Sequence, residues 1–178
     1  MVAKYNTYVT ENISVENIEN ALKNRGFNTI VLNSEKEVKD FISSIIPDKS
    51  PVGLGNSITT CKLNLRNLLA AKGVTIFYSW DGSENYNRSL DTFETPAWPK
   101  YYITRLAALS LDGRLLMKDY KKRAAAENKF PSHVYAFVGL NRLVEQFFSE
   151  GKAVKYPVIK ENPPGISFTV ALLPFLDY

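Results

Sequence analysis

Pro51-Val52-Gly53-Leu54-Gly55-Asn56-Ser57-Ile58-Thr59 reads as a short apolar strand, a glycine-rich turn and the start of a helix. The segments around it repeat that rhythm. Upstream, Ser34-Glu35-Lys36-Glu37 is a capping box, and Val38, Phe41, Ile42 and Ile45 form a core stripe that Pro47 ends. Before it, Asn28 to Leu32 reads as a strand. The first helix starts at Ser14, with Ile13 set to staple onto Ile18 and Val15, Ile18 and Leu22 on one face. Gly26 supplies its left-handed end and brings Phe27 to Leu22. Downstream, a helix is predicted from Ile58 to Lys72, with Ile58, Cys61, Leu65, Leu68 and Leu69 facing the core and Gly73 as the stop. Val74 to Tyr78 is the next strand. Alternation of this kind predicts a three-layer α/β fold with a mostly parallel sheet and helices on both faces.

Residues 79–99 break the pattern with turn residues and with Pro96 and Pro99 around Trp98. A loop of that length is either a binding loop or a surface excursion pinned by Trp80, Phe93 and Trp98. A strand resumes at Tyr101 to Thr104. An antiparallel hairpin follows, Asp112-Gly113 being its turn between Ala107–Leu111 and Leu115–Lys118. The pattern then predicts a helix over 120–129, a strand from Val134 to Val138, a helix from Asn141 to Ser149, and strands at Val154 to Ile159 and Ser167 to Leu173. The last of these either completes the sheet or forms a homodimer contact. The whole reads as one domain, 1–178, with a core at 14–150 and a C-terminal strand extension at 151–178.

With 178 residues and 45% hydrophobic composition, the chain buries a core without staples. The one cysteine, Cys61, excludes an internal disulfide and a cysteine-built iron–sulfur cluster, and His133 as sole histidine excludes a histidine-rich metal centre. The cofactor is not legible. No signal-peptide core and no apolar run near the roughly 20 residues of a membrane helix occurs, so a cytoplasmic protein off the membrane is expected. A net charge of +4 favours anionic partners, but no nucleic-acid reader motif accompanies it.

The glycine turn is the leading candidate for chemistry. Glycines let backbone amides approach a ligand, and a helix start offers unpaired N–H groups to an anion. Ser57 and Thr59 add hydroxyls. The competing reading is that Ser57 only caps the helix and the glycines only make the turn. A basic run, Arg114, Lys118, Lys121, Lys122, Arg123 and Lys129, is the second candidate, and a solvated helix face with Arg123 paired to Asp119 is its plainer reading. Cys61 is expected in the core and inert. His133 reads as a surface or capping residue. No nucleophile–base constellation is present.

Three segments in order carry a resemblance: Pro51 to Thr59, Tyr102-Ile103-Thr104 through Leu111-Asp112-Gly113-Arg114-Leu115, and Tyr135-Ala136-Phe137-Val138-Gly139-Leu140-Asn141-Arg142-Leu143-Val144. Together they resemble the lactate-utilisation (LUD) domain family, the LutC/YkgG-like proteins, over most of residues 15–150. The resemblance implies a NagB/RpiA/CoA-transferase-like fold, in which the turn after an early strand receives phosphate or carboxylate. It implies a bacterial accessory protein of L-lactate oxidation acting beside iron–sulfur partner subunits. It also implies a ligand face of Gly53, Gly55, Asn56, Ser57, Thr59, Thr104, Lys118, Asp119 and Arg123. The three ligand-facing loops depart from the family: Gly55-Asn56-Ser57 stands where the family has Gly-Gly-Ser, and the other two, Thr104-Arg105-Leu106-Ala107 and Asp119-Tyr120-Lys121-Lys122-Arg123, have lost their small residues. Three functions are therefore carried forward: a binder of a small anion or of partner subunits, an isomerase or acyl/CoA-transferase-like enzyme using Asp112, Asp119 or Lys118, and a degenerate interaction module.

Overall fold

The first helix, α1 (Val15–Asn24), forms as its caps dictate. Ser14 accepts from the Asn17 amide at its start. At its end Gly26 takes φ +82°, and the Phe27 and Gly26 amides donate to the Leu22 and Lys23 carbonyls. This is the Schellman closure that a glycine at that place permits. Strand β1 (Asn28–Val31) follows, then helix α2 (Glu35–Ile45). Ser34 caps α2 through the Glu37 amide, while the Glu37 carboxylate reaches the Asn33 amide rather than the Ser34 amide. Further along come β2 (Val52–Gly55), α3 (Ile58–Lys62), α4 (Leu65–Ala71) and β3 (Ile76–Ser79). The remaining strands are β4 (Tyr101–Arg105), β5 (Ala108–Ser110), β6 (Leu115–Leu116), β7 (His133–Gly139), β8 (Leu143–Val144), β9 (Val158–Ile159) and β10 (Ser167–Leu173). This computed structural model describes residues 13–55, 57–79, 99–117, 131–145, 147 and 158–176.

Six strands form one parallel sheet in the order β1-β10-β7-β4-β2-β3. Alternation along each strand divides the core into two. On one face Val134, Ala136 and Val138 of β7 and Val170 and Leu172 of β10 pack with Ile18 and Leu22 of α1. Leu109, Leu115, Leu143 and Ile159 join them from a small second sheet, ordered β8-β5-β6-β9. On the other face Phe137, Ala171 and Leu173 meet Val38 and Ile42 of α2 and Leu65 and Leu69 of α4. The expected three-layer α/β architecture is therefore present, with helices on both faces. Within the second sheet, β5 and β6 are the predicted antiparallel hairpin.

Several local expectations are corrected. The helix predicted from Ile58 to Lys72 breaks at Asn64, which adopts φ +51°, and restarts as α4. The break resets the helical phase. Leu63, Leu65 and Leu69 become the buried set, while Ile58 is 59% exposed and Cys61 lies on the surface rather than in the core. The helix predicted from Asn141 is instead a single 3-10 turn, Leu140–Arg142, leading into β8. The C-terminal strand takes the first of its two expected places and completes the sheet: β10 lies between β1 and β7 and pairs with both. The predicted 120–129 helix and most of the 79–99 loop fall outside the described residues.

Asp112 ties three segments together. Its carboxylate bridges Arg25 at the end of α1 (3.1 Å) and Arg114 (2.9 Å), and accepts from the Ser110 hydroxyl. Arg25 also donates to the Lys160 carbonyl at 3.0 Å. Burial pushes the Asp112 carboxyl up, but the Ser110 hydroxyl and the Arg114 and Arg25 guanidinium groups outweigh it, and the net pKa falls below the ordinary 3.8. A carboxylate with a depressed folded-state pKa contributes stability above its unfolded value and loses it as pH falls through the folded one. Wild type is thus expected to lose stability below about pH 4 in a way that Asp112→Asn does not, as read from urea midpoints across an acid pH series. Parallel curves for the two proteins would count against the bridge.

Candidate functional site

The direction of the crossovers selects one position on the sheet. After β2 the chain passes through α3 and α4, on the α2 face, to reach β3. After β4 the described part of the connection, β5 and β6, lies on the opposite face, and the chain then steps the other way to β7. A single crossover hand demands that face and direction reverse together. Neighbouring strands β2 and β4 therefore send their continuations to opposite faces. At such a switch point, beyond the carboxyl ends of the strands, doubly wound sheets hold their ligands.

The buried polar residues gather at the same place. Ser57, Thr59, Thr60 and Thr104 are all buried, and among the described residues Ser110 is the only other polar one so enclosed. Thr60 Oγ1 donates to the Gly55 carbonyl at 2.9 Å, fixing the turn to the strand end. Thr104, next to last in β4, lies beside Gly55, and a Cβ added to Gly55 would stand 2.9 Å from Thr104 Oγ1. A Cβ on Gly53 would stand 2.7 Å from the buried Tyr102 ring. Neither glycine has positive φ, so both are needed for close passage against β4 side chains rather than for a left-handed turn.

The turn is more self-contained than a row of unpaired donors. Ser57 Oγ accepts from the Thr60 amide and Thr60 Oγ1 from the Ser57 amide, each at 3.1 Å. This reciprocal box satisfies two of the helix-start amides with the protein's own hydroxyls. Moreover α3 has five residues, too few for a large dipole. The dipole of so short a helix adds little charge attraction at this edge.

The structure brings together Gly53, Gly55, Ser57, Thr59 and Thr104 of the sequence-predicted face. Asn56, Lys118, Asp119 and Arg123 lie outside the described residues. Asp112, one of the candidate acid–base groups, is engaged at the hairpin turn by Arg25 and Arg114. His133 sits at the opposite, amino end of the sheet, stacked on Tyr101 with ring centroids 5.2 Å apart. Among the described residues no group of three histidine, cysteine, aspartate or glutamate side chains could hold a metal ion, and no helix is long and apolar enough to cross a membrane. Sequence reasoning passes over Arg105. In the sequence it is only a departure from a family pattern, yet it is the last residue of β4, at the switch point itself. Counting register from Tyr102 is the signal that finds it.

Comparison with known proteins agrees with the sequence-based resemblance. The chain matches the family profile described as LUD domain over residues 15–169. A crystal structure of a DUF162 family protein from Deinococcus radiodurans is similar at 12% identity, covering 89% of this chain and 95% of that one, with a TM-score of 0.47. A crystal structure of eIF2B beta from Chaetomium thermophilum is similar at 15% identity over 71% of this chain and 47% of that one, with a TM-score of 0.45. No curated protein gives a significant match.

Proposed function

The chain belongs to the LUD domain family, which is linked to lactate utilisation, and from that premise we propose that it is a LutC-like accessory protein binding a small carboxylate or phosphorylated metabolite at the carboxyl edge between β2 and β4. The observation that carries this reading is the coincidence of the switch point with the cluster of buried hydroxyls Ser57, Thr59, Thr60 and Thr104. Doubly wound sheets take their ligands at such an edge, and a lining of hydroxyl groups there suits a polar guest better than an apolar one.

The test is a thermal-shift series with L-lactate, pyruvate, a sugar phosphate and coenzyme A. A ligand that prefers the folded state raises the midpoint, by about 2.7 kcal/mol of stability at a hundredfold excess over its Kd. A concentration-dependent rise with at least one of these compounds is expected, and flat curves with all of them would remove the small-ligand reading. Iron–sulfur subunits as partners are the other half of this proposal, tested by co-purification from cells expressing both.

A second reading, a non-catalytic interaction module, is favoured by one feature: the Ser57–Thr60 box and the Thr104 side chain against Gly55 fill part of the edge with the protein's own groups. An isomerase or acyl-transferase reading has less support. Its general base would need hydrogen-bond reach to the substrate, and the carboxylate of Asp112 is instead bridged to Arg25 and Arg114 and held below its ordinary pKa.

A further inference from the structure

We propose that the outer edge of β1 is a docking edge for a second copy of this chain, which pairs with it antiparallel about a two-fold axis at Ile30. β10 occupies the interior of the large sheet, so on one side the ladder ends at β1, a strand of four residues. The Leu32 amide donates to the Leu172 carbonyl, and Val31 stands opposite Leu172 in the register. Backbone groups alternate in direction along a paired strand. Asn28, Ile30 and Leu32 therefore address β10, while Thr29 and Val31 point their amides and carbonyls outward. Among the described residues nothing donates to or accepts from those outward groups. At the other end of the sheet β3 runs on into residues outside the described set, so β1 is the edge whose chain surroundings are described on both sides.

The edge is complementary to itself. Ile30 opposite the second copy's Ile30 sets Thr29 opposite the second copy's Val31, and the reverse. Each of these two Thr–Val pairs exchanges both of its N–H···O bonds, and no outward group is left over. A two-fold contact needs one patch that serves both partners, and two outward residues placed symmetrically about a central one supply it. The axis stands normal to the sheet, so each face meets its like. Val31 then meets Thr29 on the α1 face, and Ile30 meets Ile30 on the α2 face. All three residues are β-branched and half-buried, and cross-strand pairing completes their burial. Sheets that avoid such contacts place lysine, proline or inward charge on their edges. From Gly26 to Ser34 this chain has no charged residue and no proline. Glu19, which reaches the strand from α1, is already engaged by the Thr29 hydroxyl at 2.9 Å and by Lys23 at 3.8 Å. Pairing through so short a strand gives a contact at the small end of specific interfaces, so the dimer is weak and reversible, in the micromolar range. β2 and β4 lie toward the far end of the sheet, so β1 pairing leaves both candidate ligand edges uncovered.

The experiment is sedimentation velocity on the full chain, from micromolar to sub-millimolar concentration, for wild type, Val31→Pro and Thr29→Lys. Val31→Pro deletes an outward amide that the single copy does not use, and Thr29→Lys puts a charge on the edge. Wild type should pass from monomer to dimer as concentration rises. Both variants should dimerise about tenfold more weakly or worse, with melts of dilute protein close to wild type. If one variant lowers the melt, the other carries the comparison. The register is read separately, by oxidising Ile30→Cys in a Cys61→Ser background. A non-hydrogen-bonded antiparallel pair sets its Cα atoms about 4.5 Å apart, within the span of a disulfide. Ile30→Cys should therefore yield a covalent dimer, and Lys36→Cys, exposed on α2, should not. A wild type that stays monomeric at every concentration overturns the proposal and leaves the edge to a strand of another protein. Dimerisation unchanged in both edge variants, or a wild-type dimer with no Ile30→Cys cross-link, overturns it as well.

Discussion

Gly113→Ala is expected to lower the thermal midpoint by about 10 °C. Two independent effects act on that residue. Its φ of +83° is a left-handed conformation that costs an L-residue about 1–2 kcal/mol. In addition, a Cβ there would stand 2.7 Å from the backbone carbon and oxygen of Ala21 in α1, and overpacking against a rigid neighbour costs about 1–3 kcal/mol. For a chain of this size each kcal/mol moves the midpoint by roughly 2–4 °C. Gly165 separates the two effects. Its φ is +75°, but nothing lies within 4 Å of a Cβ added there, so Gly165→Ala should lose only the conformational part. Asparagine tolerates the left-handed region. Gly165→Asn should therefore be almost silent, while Gly113→Asn should remain damaging because the collision with α1 persists. Circular-dichroism melts of the four variants decide the matter. A Gly113→Asn protein as stable as wild type would mean that the hairpin turn does not press on α1.

Truncation after Gly165 is expected to abolish cooperative folding. It removes β10, whose Phe168, Val170, Leu172 and Leu173 are fully or almost fully buried. At about 1.5–3 kcal/mol for each side chain of this kind, their loss approaches the whole 5–15 kcal/mol stability of an ordinary domain. The backbone loss is as serious. β10 is hydrogen-bonded along both of its edges, so its removal strips β1 of its partner and exposes one edge of β7. The truncated chain should show no urea transition and poorly dispersed amide resonances. A truncated protein with the wild-type urea midpoint would show that the sheet holds without its second strand.

Particular residues explain what is legible in the sequence and what is not. Ser14, Ser34, Gly26 and Pro47 act on their immediate neighbours, and the elements they bound appear where the pattern puts them. The burial periods of α1 and α2 are legible for the same reason. Asn64 is not: nothing local forces an asparagine into φ +51°, and the break serves to turn Leu65 and Leu69 inward. Carrying the Leu65 and Leu69 stripe of α4 back across that point misplaces Ile58 and Cys61. Leu143 and Val144 read as helix because a short apolar run has no period of its own, and pairing with distant β5 makes them a strand. At the candidate edge, the glycine turn is visible from composition. The partners of Gly53 and Gly55, the Tyr102 ring and the Thr104 side chain, are not, because they arrive from a strand some fifty residues later in the chain and only register brings them together.

Interleaving the last strand has a consequence during synthesis on the ribosome. Proteins are made from the N-terminus, and early segments begin to collapse while later ones are still being added. Among the described residues β1 is the first strand produced, and it has no hydrogen-bonded neighbour among them until residues 167–173 leave the exit tunnel. Until then the nascent chain carries two unfilled ladder edges, on β1 and β7, flanking a gap one strand wide. An extended apolar segment of another molecule could lodge there. Slower elongation would prolong that exposure, and a chaperone that shields strand edges would act on this intermediate rather than on the finished protein.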